Sequence, residues 1–143
     1  MLQIEKTIDI RFSEVDSMGI VWHGNYALYF EDAREQFGKT YGLEYLYIYE
    51  MGFLAPLVEM KINYRKSAQY GERVLVRCRY RETEAAKIIF DYEIVEPGSG
   101  ELLVSGYTVQ VFLDRERKLV WQTPEFYRQW KEVHLTDNEK RKG

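Results

Sequence analysis

Polar and apolar positions alternate along much of this chain, and the places where the alternation breaks divide it into elements. Over residues 2–12, Ile4, Ile8, Ile10 and Phe12 fall on one side and Glu5, Thr7, Asp9 and Arg11 on the other. That is the period-two pattern of a strand with one buried face. Residues 13–25 lose the pattern and carry Asp16, Gly19 and Gly24, which predicts a loop. From 25 to 41 the period becomes helical: Tyr26, Tyr29, Phe30, Ala33, Phe37 and Tyr41 make a wide apolar stripe. Asn25 suits the N-cap and Gly42 the position just past the helix end. Glu31/Arg34 and Glu35/Lys39 add surface pairs worth tenths of a kcal/mol. Residues 43–51 predict a short helical or irregular piece ending at Gly52.

Beyond Gly52 the alternation returns. Val58, Met60, Ile62 and Tyr64 predict a strand over 57–66. Over 73–81, Val74, Val76, Cys78 and Tyr80 oppose Arg73, Arg77, Arg79 and Arg81. The four arginines fit a solvated face, a subunit interface or a phosphate-binding strip. Ile88, Phe90, Tyr92 and Ile94 define one face of a strand over 86–96, and Pro97-Gly98-Ser99-Gly100 is a turn. Residues 102–113 are apolar at nearly every position, as in a doubly covered strand. Residues 117–122 are expected to continue the sheet, and Pro124 to open a short helix carrying Phe126, Tyr127 and Trp130. One long helix followed by a run of strands predicts an α+β fold. The expected organisation is a single domain over 1–134 and a polar, frayed tail over 135–143.

The 143 residues suffice for one domain with a real core. At 45% hydrophobic and 30% charged, the chain reads as a globular protein. A net charge of −3 without a long block of one sign argues against nucleic acid as a partner. The start of the chain has acids and no apolar core, unlike a secretory signal, and no run approaches the ~20 apolar residues of a membrane span. The one cysteine, Cys78, has no partner for an internal disulfide and falls on a buried strand face; the reducing cytoplasm is the expected address. Two histidines, His23 and His134, lie far apart, so neither a metal nor another cofactor is expected.

The candidate chemistry lies in Asp16-Ser17-Met18-Gly19-Ile20-Val21-Trp22-His23-Gly24-Asn25-Tyr26. A carboxylate sits on a Gly-containing turn, and seven residues later the chain enters the helix. A helix start offers unpaired N–H groups and a positive dipole end, both suited to a developing oxyanion. Together they suit acyl transfer. From spacing alone, Asp at the first position of a turn with Gly at the fourth is also ordinary turn chemistry. No Ser or Cys occupies a nucleophile elbow.

These residues resemble a known family. Arg11-Phe12, the Asp16–Tyr26 block, Tyr29-Phe30-Glu31-x-Ala33-Arg34 and Tyr64-Arg65-Lys66-Ser67-Ala68-x-Tyr70-Gly71-Glu72 are similar to hotdog-fold acyl-CoA thioesterases of the 4-hydroxybenzoyl-CoA thioesterase type, near the YbgC-like branch. The resemblance spans about residues 4–130. It implies an antiparallel sheet wrapped around the long helix. It also implies homodimers joined sheet edge to sheet edge, paired further into homotetramers, with each site between protomers. It assigns the catalytic carboxylate to Asp16, as general base or nucleophile, and thioester polarisation to the backbone N–H of His23. Gly24, Asn25 and Tyr26 then line the acyl-CoA substrate. Some relatives carry a basic, Ser-containing loop for the CoA phosphates. Here it reads Glu82-Thr83-Glu84-Ala85-Ala86-Lys87, with Lys87 its only base, so Arg65 and Lys66 become the substitute phosphate contacts. Glu31 is a rival carboxylate, as another hotdog branch uses an acid on the helix.

Two other functions compete with hydrolysis. Hotdog dehydratases acting on acyl carrier protein resemble a His-Phe-Pro pattern, whereas His23 precedes Gly-Asn. A non-catalytic acyl-CoA sensor should lack a placed carboxylate. Hydrolysis of acyl-CoA leads.

Overall fold

The computed structural model describes residues 2–135. Five strands form an antiparallel sheet in the order β1 (Gln3–Asp9), β4 (Arg73–Arg81), β5 (Lys87–Val95), β6 (Leu102–Val111), β3 (Leu57–Tyr64). Helix α1 (Asn25–Tyr41) lies across its inner face, and the short α2 (Tyr45–Glu50) follows. A separate two-stranded pair, β2 (Phe53–Leu54) with β7 (Leu113–Asp114), leads to α3 (Glu125–His134). The expected α+β architecture, a sheet wrapped around one long helix, is what the chain adopts.

Aromatic packing seats α1. Phe30 stacks on Tyr92 with ring centres 4.3 Å apart, and Phe37 meets Phe90 at 4.8 Å. A Cβ on Gly106 would lie 2.7 Å from the Phe30 ring and 2.1 Å from the Lys61 carbonyl. Glycine is required there by the closeness of helix and sheet. Burying a side chain such as Phe30 stabilises by about 1.5–3 kcal/mol. Gly42 ends the helix at φ +75°, the left-handed conformation expected of it. Trp130 of α3 donates its indole N–H to the Tyr41 carbonyl at 2.7 Å, which fastens α3 beside the end of α1.

Several expectations are corrected. Phe12 is not on a buried face but 76% exposed. The strand ends at Asp9 and the chain turns through a 3₁₀ segment, Phe12–Glu14, so the alternation no longer applies. Asn25 is not the N-cap. Gly24 is, and Asn25 opens the helix with its amide donating to the Glu14 carbonyl at 2.8 Å. Residues 117–122 add only a single bridge, Leu113 to Leu119. Leu135 is buried in the core, and the expected tail beyond it lies outside the described residues.

The arginine row resolves into cross-strand pairs. Arg73 bonds Asp9 at 2.8 Å, Arg77 bonds Glu5 at 2.8 Å and Glu93 at 3.1 Å, Arg79 reaches Glu93 at 3.2 Å, and Arg81 pairs with Asp91. Each guanidinium faces an acid one strand away, so the row is an ion ladder on the outer face. The carboxylates raise the pKa of Arg73, Arg77 and Arg81 through these bonds. Cys78 faces inward, where burial pushes its thiol pKa up and keeps it protonated.

Candidate active site

Asp16 sits at the tip of a tight hairpin. Its N–H donates to the Ile20 carbonyl at 2.9 Å, and its carbonyl accepts from Gly19 N–H at 3.0 Å. Gly19 adopts φ +77°, which a side chain would resist. Carboxylate oxygen Oδ1 accepts the Met18 N–H at 2.8 Å, so the side chain is oriented by its own turn while staying half-buried. Val15 bridges Val21, and Ile20 bridges Gln69. The hairpin is therefore the middle of a small ladder, whose outer rung is the segment after β3: Val21 N–H donates to Ala68 and Tyr70 N–H to Gly19, both at 2.9 Å.

The Glu14 carbonyl joins the hairpin to the helix. It accepts both the Trp22 N–H at 2.9 Å and the Asn25 amide at 2.8 Å. Tyr26, one residue on, is buried and accepts the Ala68 N–H at its hydroxyl, 3.1 Å away. Burial raises the Tyr26 pKa against the opposing pull of that N–H. Tyr64, the last residue of β3, donates its hydroxyl to the His23 carbonyl at 3.1 Å.

The result is a pinned chain with open donors. Among the described residues, no acceptor takes the N–H of His23 or Gly24, although the neighbouring Trp22 and Asn25 N–H groups are both used. These are the free donors that a helix start presents. The His23 ring makes no hydrogen bond among the described residues; it is exposed and rests between Trp22 at 4.9 Å and Tyr64 at 6.4 Å. The Trp22 ring packs over Gly24: a Cβ there would lie 2.2 Å from it, so the exposed ring would have to swing aside.

The expected site residues separate into two groups. Asp16, His23, Gly24, Asn25 and Tyr26 come together at one end of the sheet, with Arg65 and Lys66 just beyond Tyr64. Arg65 is exposed and has no ion pair among the described residues; Lys66 is held by Glu101 at 3.1 Å. Lys87 starts β5 at the opposite end, roughly 26 Å away over the length of that strand. The loop before it carries Glu82, whose negative charge would repel phosphate rather than bind it. That carboxylate is buried and accepts from Lys131 of α3 at 2.8 Å. Glu31, the rival acid, is paired with Arg34. Tyr64 and the Glu14 carbonyl were not singled out from the sequence. Tyr64 could have been suspected, because it ends a strand directly before Arg65-Lys66 within the second motif; a backbone hub such as Glu14 leaves no residue signature.

A groove of about 940 Å³ opens at that same far end, beside α1. Gly38, Leu43, Ile48, Ile88, Phe90 and Gln110 are the buried part of its lining, and Tyr45, Leu46 and Tyr49 of α2 edge it. Neither Asp16 nor His23 lines it. Among the described residues no cluster of His, Cys, Asp and Glu could hold a metal ion, and no helix is long and apolar enough to cross a membrane.

The sheet wrapped around α1, with the Asp16 hairpin tied through the Glu14 carbonyl to the helix start, is the frame in which the class of the protein is read. The chain belongs to the thioesterase-like superfamily, whose family model matches residues 10–131. It is 33% identical to YneP of Bacillus subtilis over 112 residues, 78% of this chain and 80% of that one. Acyl-CoA thioesterase YbgC of Haemophilus influenzae is 26% identical over 105 residues, 73% of this chain and 75% of YbgC. The solved DHNA-CoA thioesterase of Staphylococcus aureus superposes with a TM-score of 0.82 at 29% identity, covering 97% of this chain and 95% of that one.

Proposed function

We propose that this acyl-CoA thioesterase hydrolyses its substrate to a free acid and CoA with Asp16 as the catalytic carboxylate. The observation that carries this is the pair of unused N–H groups, His23 and Gly24, next to the Asp16 hairpin. An oxyanion formed from the thioester carbonyl would accept from them as the thiolate departs. Asp16 acts as general base on water or as nucleophile through a mixed anhydride. Asn25 and Tyr26 hold the helix start in register with the hairpin, and Tyr64 fixes the His23 carbonyl. Arg65, unpaired among the described residues, is the phosphate contact, with Lys66 next to it.

The working unit is a homodimer, which can pair again into a tetramer. Strand β3 is a sheet edge with Val58 and Tyr64 more than half exposed, and such edges favour pairing. Antiparallel pairing of two β3 edges sets the Tyr64 end of one copy beside the Leu57 end of the other. The Asp16 hairpin is tied to the first end; the groove, through Ala55 and Pro56, adjoins the second. One copy thus supplies the carboxylate and the other the groove, and Lys87 comes within reach only across the two copies. The compartment is the reducing cytoplasm, which suits a buried unpaired Cys78.

Free-thiol release from a panel of acyl-CoAs tests the activity. Turnover of at least one acyl-CoA is expected; a protein that binds acyl-CoA and releases no thiol would instead be the sensor. Single turnover in ¹⁸O-enriched water separates the two routes: label on Asp16 identifies nucleophilic attack.

A further inference from the structure

One buried carboxylate beside the site takes no part in the proposed chemistry. Glu14 lies two residues before Asp16 in the 3₁₀ turn, and it is buried while Phe12 in the same turn is exposed. A glutamate in an exposed turn ordinarily stays in water. This one is drawn inward, where a carboxylate is tolerated only with hydrogen bonds and a countercharge. Oε1 accepts the Arg11 N–H at 2.8 Å, and the Arg11 guanidinium stands 3.5 Å from Oε2. On the α1 side is Tyr29, 1% exposed. Burial first, and then the Glu14 charge, raise the Tyr29 pKa, so its hydroxyl keeps its proton. That hydroxyl lies outside full hydrogen-bonding geometry but close enough to feel the charge.

The main chain of the same residue carries the site. The Glu14 carbonyl accepts the Trp22 N–H at 2.9 Å and the Asn25 amide at 2.8 Å. His23 and Gly24 lie between these two anchors, so the position of one oxygen sets where their open N–H groups point. The Glu14 side chain in turn sets that oxygen. It accepts from the Arg11 N–H while the Glu14 N–H donates back to the Arg11 carbonyl at 2.9 Å, and the two bonds close the turn on itself. Resting on the thioesterase reading above, we infer that the Glu14 carboxylate is a positioning residue for hydrolysis: by locking the turn it holds its own carbonyl, and through it the oxyanion donors, against Asp16. Donors held in place stabilise a developing charge without having to move. Charge matters here as well as shape. A glutamine keeps the size but loses the pairing with the Arg11 guanidinium, and its amide turns a donor toward a donor.

Glu14→Gln tests this. With whichever of acetyl-, hexanoyl-, decanoyl- and benzoyl-CoA the wild-type protein turns over fastest, kcat should fall about ten- to a hundredfold while KM stays within about twofold. Asn25→Ala loosens the same carbonyl, so the double variant should lose far less than the product of the two single losses. Amide hydrogen exchange reads the anchor without turnover: the Trp22 N–H should exchange at least about tenfold faster in Glu14→Gln, with the β5 amides unchanged. An unchanged kcat, a rise in KM alone, fully multiplicative losses or an unchanged Trp22 exchange rate each overturns the inference. If the wild-type protein hydrolyses none of the four substrates, the thioesterase reading fails by itself, and the exchange rate still decides whether Glu14 anchors the helix start. If Glu14→Gln does not fold, Arg11→Met takes its place, because that side chain is exposed and its loss spares the core. There kcat should fall about threefold with faster Trp22 exchange; no change in either overturns the inference.

Discussion

At one end of the sheet the Asp16 hairpin is organised by backbone hydrogen bonds; at the other the groove is organised by apolar side chains. Among the described residues the first end leaves polar groups unused, namely the His23 and Gly24 N–H groups and the Arg65 guanidinium. At the second, the few buried polar side chains are anchored to the fold, Gln110 on Ala55 and Glu82 on Lys131. Unused donors suit a place where charge develops, because they cost no rearrangement when it does. A largely apolar floor suits a group that contributes mainly buried area. The contrast teaches that the fold sets the Asp16 hairpin and the groove apart by the length of a strand, and on the proposed reading a second copy would join them.

The largest effect should come from the chemical end. Asp16→Asn should lower kcat about 10²–10⁴-fold with an unchanged melting temperature. Steady-state thiol release and circular dichroism check both halves, and a variant keeping a third of wild-type kcat would shift attention to Glu31. At the far end the largest effect should be on stability. Lys131→Met strands the buried Glu82 carboxylate, whose second oxygen already lacks a partner. Loss of one member of a buried pair costs about 3–5 kcal/mol. Urea denaturation should show that loss, and restoration by adding Glu82→Met would tie it to the pair.

Gly24→Ala probes the junction. The new Cβ forces the Trp22 ring aside, and kcat should drop about tenfold with KM changed less, because the donors move relative to Asp16. An unaltered kcat would separate the Trp22 contact from catalysis. The mildest change is expected for Arg65→Ala. An exposed charge–phosphate contact is screened, so KM for acyl-CoA should rise about three- to tenfold, with the difference shrinking at high salt. Kinetics at low and high salt measure it; a KM independent of both would remove Arg65 from the phosphate contact.

How much of this was legible in the sequence follows the same division. The helix over 25–41, the buried faces of β4 and β5 and the Gly42 terminus were readable because local pattern and final burial agree there. Phe12 was misread because alternation says nothing about where a strand stops. Asn25 was misread because a cap and a tertiary hydrogen bond draw on the same side chain. The Asp16 block was legible as a motif, since its turn and helix start are contiguous. The groove was not. It is assembled from α1, α2, β5, β6 and the segment before β3, and such long-range assembly has no signature in any window of residues. The arginine row shows the intermediate case: its face was readable, its partners Asp9, Glu5, Glu93 and Asp91 only from strand register.

The central claim is that the carboxylate of one copy serves the groove of another. The most direct measurement mixes Asp16→Asn with a groove-filling Ala55→Trp variant, dissociates and reassociates them, and assays decanoyl-CoA hydrolysis. Each mixed dimer then holds one site with both parts intact, and random pairing should restore about a quarter of wild-type activity from two nearly inactive parents. Activity no higher than the average of the two parents, with mixed dimers shown to have formed, would mean that carboxylate and groove work within a single chain and would contradict the account.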